Sequence, residues 1–501
     1  MLTYSFEGRG ESSLYEYLYR CIAHDIETGC IAPGEKLPSK RSFARHLGVS
    51  LITVEGAYTQ LAAEGYISSV ERKGYFACDL ALRQIRTASP RHSSTPSASL
   101  QGSPSRIASS SRSAAESERS SAGLIADFTG KAVPMGLFPY GGWAKSVRAA
   151  LAEESERSLI GESTAFGSLR LREVLARYLR DFRGMVVDAD RIVIGAGSQI
   201  LDNMIVQLLG REVTFAVEDP GYPRLTRIYR ANDVPLAHIP LDGEGVRMDV
   251  LRESRADVLH LMPSHHFPTG RVTSVSRRYE LMAWASEKPT RYLIEDDYDC
   301  EFRLAGRPIP SLQSIDASER VIYINTFAKS LSPAFRIGYM VLPEHLATRF
   351  RDTLGFYSST VSAIDQLALA RFIENGDYER HVNRMRTHYR NVRNEFIAAL
   401  KASSLSDRLT IEAQDSGINF PLAIEGISDD VAFARVARRR GIALAPFSSF
   451  RLAGIGEEEE CSARFLMDYT GLDVALIPDT VHVLEEVTAS FDGGHSDARF
   501  C

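Results

Sequence analysis

The sequence has few of the features that mark secreted, metal-bound or membrane-spanning proteins. Only 6 of its 501 residues are cysteine. They are scattered without a Cys-x-x-Cys pair, so reduced thiols are expected and a zinc or disulfide framework is not. No run approaches the ~18 uncharged apolar residues of a membrane helix, and residues 1–7 lack the basic-then-apolar order of a secretion signal. We therefore expect a cytoplasmic protein without a membrane span or a bound metal.

The sequence also lacks a strong charge of either sign. Its net charge is −6, and charged and apolar residues make up 24% and 44% of it, as in ordinary globular proteins. This balance argues against a surface coated by nucleic acid, but it is compatible with a small module that carries a few basic residues. A chain of this length exceeds one ordinary core, so we expect a multi-domain protein.

Large apolar side chains are almost absent from one internal stretch. Between Ser89 and Ser121, 14 of the 33 residues are serine. Such a segment buries too little surface to offset the entropy of ordering it, so it is predicted to be a flexible linker. We place the domain boundaries accordingly, with a first unit at 11–80, the Ser-rich linker at 81–123 and a long unit at 124–491.

The first unit carries the pattern of a winged helix-turn-helix. Ser39 is a candidate N-cap for a short helix that stops at Gly48, and Ser50 can cap a second helix directly after it. Apolar runs at 67–70 and 75–77 then predict a two-stranded wing with a basic tip. Two short helices joined by a tight turn and followed by a wing are typical of DNA-binding modules.

This first unit resembles the GntR family of winged-helix regulators. The matching words are Leu37-Pro38-Ser39-x-Arg41, Leu47-Gly48-Val49-Ser50, Thr53-Val54, Ala57-Tyr58, Leu61 and Glu64-Gly65. The resemblance implies double-stranded DNA as a partner, with contacts from Arg41, Ser50, Thr53, Arg72 and Lys73. One position departs from the family pattern, because Leu51 stands where an arginine is common.

The long unit alternates apolar strand-like runs with helical runs. The predicted strands lie at 191–194, 213–217, 257–261, 291–294 and 321–324. Strands separated by helices imply a parallel α/β sheet with functional residues at the strand ends. From about residue 399 strands and helices mix, which predicts a smaller α+β lobe.

Three residues of the long unit match what pyridoxal phosphate (PLP) needs from a protein. Lys329 offers an amine for a Schiff base, Arg336 offers a cation for the phosphate, and Asp296 offers a carboxylate for the ring nitrogen. Further candidates surround them: a helix start for the phosphate, an aromatic ring for stacking, and donors to the phenolic oxygen or phosphate, namely Gly197, Ser198, Gln199, Tyr222, Tyr298 and Thr326. Taken singly, each has an ordinary structural explanation, such as a cap, a turn or a surface amine.

Jointly these residues resemble the fold-type I, class I/II aminotransferases, and the words Ala165-Phe166-Gly167 and Pro268-Thr269-Gly270 extend the match. The departures concern ligand binding. Phe267 replaces an asparagine that donates to the phenolic oxygen, so His265 or His266 is expected to take that role. Phe166 replaces a tyrosine that commonly reaches the phosphate. Leu466 replaces the arginine that clamps the substrate carboxylate, which leaves Arg464 and Arg224 as candidate effector-binding residues.

The two units together resemble the MocR/GabR family of bacterial transcription regulators. The resemblance implies a homodimer with swapped heads in which an aminotransferase-like domain senses PLP, or an amino acid or amine, and controls operator binding. Two rivals stay open: an active aminotransferase with an accessory head, and a regulator that senses PLP alone. We expect a sensor and not an enzyme, with residual or half transamination left open.

Overall fold

The computed structural model describes Tyr4 and residues 14–63, 66–70, 74–78, 123–131, 135–303, 310–413, 417–452 and 462–492. The first unit consists of α1 (Leu14–Glu27), α2 (Lys40–Leu47), α3 (Leu51–Ala63), β1 (Ile67–Val70) and β2 (Gly74–Ala77). The two strands pair antiparallel. The predicted winged helix-turn-helix is therefore confirmed. Arg72 and Lys73, together with linker residues 81–122, lie outside the described residues.

Local capping explains the boundaries of the two short helices. The Ser39 hydroxyl accepts a hydrogen bond from the backbone N–H of Ser42 at 3.3 Å, and Gly48 ends α2 in the left-handed region with φ 66°. The Ser50 hydroxyl accepts from the N–H of Thr53 at 3.1 Å and so caps α3. Both helices then bury one face in the core of the unit, where Phe43 and Tyr58 are fully enclosed.

The long unit is built on a seven-stranded sheet. Its strands are β4 (Ile192–Gly195), β5 (Phe215–Asp219), β6 (Leu236–Pro240), β7 (Val258–Leu261), β8 (Tyr292–Asp296), β9 (Val321–Thr326) and β10 (Gly338–Val341). Their order is β4-β10-β9-β8-β7-β5-β6. The predicted strands that neighbour one another, β5, β7, β8 and β9, pair in parallel. Strand β10, which is not among the predicted strands, runs antiparallel to both β4 and β9. The reason is that residues 327–337 contain no crossover helix, and parallel neighbours need one or a connection of similar length.

Helices cover both faces of this sheet. They are α4 (Tyr140–Glu153), α5 (Glu156–Ile160), α6 (Leu169–Arg183), α7 (Ser198–Leu209), α8 (Pro223–Ala231), α9 (Met248–Glu253), α10 (Val275–Ser286), α11 (Glu344–Leu354) and α12 (Ala363–Glu374). Successive residues of β9 show the two-sided burial, because Ile322 packs with α7 and α11 while Tyr323 packs with α6 and α12. Within the described ranges, no helix is long and apolar enough to cross a membrane.

The predicted α+β lobe follows the sheet. It contains α13 (Asp377–Ala402), β11 (Leu409–Ile411), β12 (Asn419–Glu425), α14 (Asp430–Arg439), β13 (Ile442–Ala443), β14 (Ala445–Pro446), β15 (Ser462–Asp468) and α15 (Ile477–Asp492). Four strands form an antiparallel sheet in the order β11-β12-β15-β14. The short strand β3 (Ala126–Asp127) pairs with β13, so the start of the long unit returns to its end.

The first unit contacts the long unit at the start of α10. Val275 is buried in the apolar cluster of the helix-turn-helix unit, and Tyr279, one turn later, packs against the same cluster. The segment just before α10 carries His265 and Phe267. His265, a candidate cofactor-binding residue, is thus connected through one short loop and one helix to the helix-turn-helix unit, which we call the head.

Candidate functional site

Lys329 lies in the segment between β9 and β10, at the junction of the main sheet and the small lobe. Its Nζ is 3.0 Å from Oδ2 of Asp468, the last residue of β15. The side chain of Lys329 is 28% exposed and that of Asp468 is 6% exposed. The lysine amine is therefore reachable from solvent while its carboxylate partner is buried. Sequence reasoning missed Asp468, although it lies only two residues after Leu466, where the clamping arginine is expected.

The Asp468 carboxylate is held in place from the other side. Its Oδ1 accepts hydrogen bonds from the backbone N–H and the hydroxyl of Thr470, at 3.0 and 2.5 Å. Gly130 has φ +74°, and a Cβ at this position would lie only 2.9 Å from Oδ2 of Asp468. A side chain at 130 would crowd the carboxylate. Asp468 is therefore a fixed part of the site wall.

The ends of β4, β9 and β10 meet the Arg336 side chain in one cluster, which we call the cradle. Gly338 pairs with Gly195 on one side and with Thr326 on the other. The Arg336 Nη2 donates to the carbonyl of Ala196 at 3.1 Å. The guanidinium also lies against Gly197, where an added Cβ would be 2.7 Å from Nη2.

The helix that follows this turn completes the cradle. Helix α7 begins at Ser198, with Gly197 as its N-cap. The first N–H groups of a helix have no partner within it and carry partial positive charge. The structure thus brings the predicted residues Gly197, Ser198, Gln199, Thr326 and Arg336 to one place.

Asp296 ends β8 and belongs to a buried acidic cluster around His260. The Nε2 atom of His260 is 3.7 Å from Oδ2 of Asp296 and its Nδ1 is 3.9 Å from Oδ1 of Asp202. The Tyr229 hydroxyl lies 2.6 Å from the same Nδ1. Burial raises the pKa of Asp202 to about 7, and the charge of Asp296 adds to this while His260 opposes it. Asp296 is therefore a mostly buried carboxylate beside His260.

An aromatic contact forms beyond the carboxyl ends of β5 and β7. Tyr222 follows β5, and its ring makes an edge contact with Phe267 at 5.4 Å between centroids. The Arg224 guanidinium lies 5.6 Å from the Tyr222 ring centroid. Burial raises the pKa of Tyr222, and the charges of Arg224, Asp296 and Lys329 all act on its hydroxyl. Asp296 and Lys329 therefore lie near enough to Tyr222 for their charges to act on its pKa.

Tyr298 is surrounded by polar side chains. Its hydroxyl is 3.0 Å from Nδ1 of His265, which is itself 2.7 Å from Oδ2 of Asp299. Burial and the charge of Asp299 raise the pKa of Tyr298 well above its usual value, against a lowering hydrogen bond from the side chain of Asn419. Tyr298 therefore remains a protonated donor at neutral pH. Asn419 was missed by sequence reasoning, because it lies on β12, far along the chain.

The two histidines proposed to replace the missing asparagine have different surroundings. His265 contacts Tyr298, whereas the Nδ1 of His266 lies 2.8 Å from the Thr269 hydroxyl and its Nε2 lies 3.5 Å from Glu218. Burial lowers the pKa of His266 to about 3 and raises that of Glu218 to about 8. The contact between His266 and Glu218 is therefore one of neutral groups at pH 7 and not an ion pair.

The expected carboxylate clamp is replaced by an apolar cluster. Leu466 is buried with Ala445, Phe447 and Phe450, and Phe267 packs against them. Arg464 lies two residues before Leu466 and so on the same strand face. Its Nη2 donates to Glu412 at 2.8 Å, and its guanidinium lies 4.6 Å from the centroid of the Phe447 ring.

Two further residues singled out from the sequence, Arg224 and Phe166, lie outside this apolar cluster. Arg224 is exposed. Among the described residues, its guanidinium has no ion pair with a carboxylate of the kind that Arg464 makes with Glu412. Phe166 packs against Phe350 at 5.0 Å between ring centroids, with the Arg172 and Arg351 guanidinium groups over its ring.

The exposed surface of the helix-turn-helix carries the other candidates. Arg41 is exposed in the first turn of α2. The hydroxyls of Ser50 and Thr53 are 2.8 Å apart, so both take part in capping α3. Leu51 and Ile52 are 40% and 79% exposed at the start of the same helix. This exposed surface therefore combines a guanidinium, hydroxyls and apolar side chains.

A winged helix joined to a lysine-centred site on this α/β sheet defines a DNA-binding regulator with an aminotransferase-like domain. The comparisons with known proteins agree. Residues 14–76 match the model of bacterial regulatory proteins of the gntR family, and residues 138–467 match aminotransferase class I and II. The chain belongs to the MocR/GabR-type family of transcription regulators.

Its relatives extend along most of the chain. It is 36% identical over 439 residues to the uncharacterized HTH-type transcriptional regulator YdeL of Bacillus subtilis, covering 87% of this chain and 89% of that protein. It is 30% identical over 437 residues to the probable rhizopine catabolism regulatory protein MocR of Rhizobium meliloti, covering 87% and 86%. It is also 30% identical over 383 residues to the pyridoxine biosynthesis regulator PdxR of Corynebacterium glutamicum, covering 76% and 77%.

Solved structures show the fold of the long unit. A multiple substrate aminotransferase from Thermococcus profundus superposes with a TM-score of 0.66 at 23% identity, covering 77% of this chain and 96% of that one. The α-aminoadipate aminotransferase LysN from Thermus thermophilus, complexed with a phosphopyridoxyl-leucine compound, gives a TM-score of 0.64 at 23% identity, covering 75% and 95%. The fold is that of PLP-dependent aminotransferases.

Proposed function

We propose that the long unit binds PLP through Lys329 and uses it to set the affinity of the helix-turn-helix for its operator. The observation that carries this proposal is the convergence of an accessible amine, an anion cradle and a buried carboxylate at the ends of neighbouring strands. PLP supplies an aldehyde that bonds to a lysine amine and a pyridine ring that withdraws electrons when protonated. We propose that PLP is held by Arg336, Asp296, Tyr298 and Tyr222.

The side chains present fit the chemical groups of PLP. The positive cradle of Arg336 and the α7 N-terminus suits a phosphate, and the contact of Gly197 with the guanidinium leaves no room for a side chain there. Asp296 suits a protonated ring nitrogen. Tyr298 suits the phenolic oxygen, because its raised pKa keeps it a donor. Tyr222 lies beside the same space and is proposed as the stacking partner of the ring.

We propose a sensor without multiple turnover. An aminotransferase must hold the carboxylates of an amino acid and a keto acid, and a buried carboxylate without a cation is strongly disfavoured. Here Leu466 is part of an apolar cluster and Arg464 is bonded to Glu412. PLP alone is therefore expected to cause most of the change in DNA affinity. Any amino-acid effect should be abolished in Arg224→Ala or Arg464→Ala, and sustained conversion of a keto acid would favour the enzyme instead.

The DNA contacts are proposed from Arg41, Ser50 and Thr53, with Arg72 and Lys73 as the wing residues that the family resemblance implies. Leu51 and Ile52 add apolar contacts at the start of α3, and the thymine methyl is the apolar group that the major groove offers. We therefore expect thymines in the half-site.

In a homodimer, binding of one head to DNA would raise the effective concentration of the other head at the neighbouring half-site. We propose that the heads of such a dimer are swapped between its two subunits. Because bacterial chromosomal DNA lies in the cytoplasm, we propose that the protein acts there.

The connection between the site and the head is proposed to run through α10. His265 contacts Tyr298, and the loop that carries it leads to Val275 and Tyr279, which pack against the head. Arg278 ties this loop to the helix by donating to the carbonyls of Thr273 and Pro263, at 3.1 and 2.7 Å. A change in the position of His265 would then shift the surface on which the head rests.

The proposal is tested by measuring DNA affinity with and without PLP. Operator sequences are first selected in vitro with the full-length protein. PLP is expected to change operator affinity at least tenfold in the wild type and in Lys401→Ala, which removes an exposed lysine at the end of α13. Lys329→Ala should lose that response and keep its affinity without PLP. A Lys329→Ala variant that responds to PLP as the wild type does would contradict the proposal.

A further inference from the structure

We propose that Asp468 makes this site selective for primary amines that lack an α-carboxylate and carry an apolar substituent. The inference deepens the proposed function and rests on PLP binding at Lys329. It names the class of effector: an amine such as an arylalkyl or branched alkyl amine, as opposed to the amino acid from which that amine differs by one carboxylate.

The proposed site already contains a carboxylate of its own. Asp468 Oδ2 lies 3.0 Å from Lys329 Nζ, so it occupies space next to the nitrogen at which an incoming amine reacts. Its other oxygen is held by two hydrogen bonds from Thr470. Because Asp468 is fixed and buried, a ligand carboxylate on the adjacent carbon would be brought close to a charge of the same sign.

The surface proposed to receive the rest of the ligand is apolar. The position of the usual carboxylate clamp is Leu466, which is buried beside Phe450. The Phe267 and Phe450 rings make an edge contact at 5.1 Å between centroids. Apolar side chains reward an apolar substituent and penalise an unpaired charge. The nearest cation on that strand face, Arg464, is already bonded to Glu412.

The Lys329 amine would be released when a ligand amine takes its place on the bound cofactor. The exchange would break the double bond between Nζ and the cofactor carbon and form one from that carbon to the ligand nitrogen, while the two hydrogens of the neutral ligand amine would pass to Nζ, with no change of oxidation state. One further proton from water would make Nζ an ammonium group. The observed contact of Nζ with Asp468 is the arrangement that such a freed ammonium needs. Asp468 therefore favours release of Lys329 while it disfavours carboxylates.

The test compares matched ligands on the full-length protein loaded with PLP. The pairs are 2-phenylethylamine with L-phenylalanine, and 3-methylbutylamine with L-leucine, each pair differing by one α-carboxylate. The readouts are loss of the visible absorbance band of the lysine–PLP link and the change in operator affinity. In the wild type each amine should act at a concentration at least tenfold lower than its amino acid. Equal or stronger action of the amino acids, or no action of either amine, would overturn the inference.

The variants assign this selectivity to residues. Selectivity is the ratio of the amino-acid concentration to the amine concentration that produces the same response. Asp468→Asn keeps the shape of the side chain and should reduce this ratio at least tenfold, mainly through better amino-acid binding. Asp468→Asn combined with Leu466→Arg should reverse the preference, because it supplies a clamp. Asp352→Asn, an exposed change on α11, should behave as the wild type. An unchanged ratio in Asp468→Asn would refute the role of this residue.

The inference and the proposed function fail in different ways. Absence of the lysine–PLP band in the wild type would reject PLP binding itself. A normal band with no amine selectivity would reject only the role of Asp468. If Asp468→Asn does not fold, the wild-type comparison of matched ligands still decides between these outcomes.

Discussion

Replacing Asp296 by asparagine tests the centre of the proposed site. Asp296 lies at the end of β8 and is 7% exposed. Its Oδ2 is 3.7 Å from Nε2 of His260. Asparagine has the same shape but no charge. The variant should therefore lose the charge-assisted bond to a protonated ring nitrogen without leaving a cavity.

The size of the effect follows from the kind of bond. A hydrogen bond to a charged group contributes about 1.5–3 kcal/mol, and each 1.4 kcal/mol is tenfold in affinity, so the Kd for PLP should rise roughly 10- to 150-fold. Without PLP the substitution removes a buried charge whose field contributes to the raised pKa of Asp202. The stability of the PLP-free protein should therefore be unchanged or higher.

The assay is a PLP titration followed by absorbance, with thermal unfolding of the protein before and after loading. Asp352→Asn serves as the matched control, because this aspartate is exposed on α11. Operator binding without PLP should be the same in all three proteins. Unchanged PLP affinity in Asp296→Asn would show that another carboxylate faces the ring. Asp299 would then be examined first, since Asp297 is bound to Arg183 at 2.6 Å.

Three other predictions concern the lysine, the DNA contacts and pH. Lys329→Ala should abolish the visible PLP band, and a borohydride-reducible band in this variant would show that the lysine is misassigned. Arg41→Ala should cost about 1–3 kcal/mol on the operator and relax sequence choice, whereas Lys73→Ala should weaken all DNA alike and flatten the salt dependence; equal effects of both on random and specific DNA would contradict this division. Burial raises the pKa of Glu218 from 4.5 to about 8, so the folded state holds a proton that the unfolded state releases, and stability should fall between those pH values. Glu218→Gln should reduce the loss seen from pH 6 to 8 by about 1–3 kcal/mol in chemical unfolding, and an unchanged slope would show that Asp202 and other buried acids cause it.

Features that depend on residues close together along the chain were predictable from the sequence. The caps at Ser39 and Ser50 and the stop at Gly48 follow from local backbone chemistry, and the structure has all three. The cradle residues around Gly197 were predictable for the same reason, because a glycine turn between a strand and a helix is a local pattern. The antiparallel course of β10 was not, since the absence of a crossover helix matters only once strand order is known.

The sequence by itself determined the modules and most groups of the candidate site, and the tertiary structure decided how those groups are paired. Asp468 is 139 residues from Lys329 along the chain, and only the packing of the small lobe on the sheet brings the two within 3.0 Å. The same packing binds Arg464 to Glu412, and the course of one loop turns His265 and not His266 toward Tyr298. Short-range propensity specifies helices, turns and motifs, but a contact between distant residues depends on which surfaces are buried together.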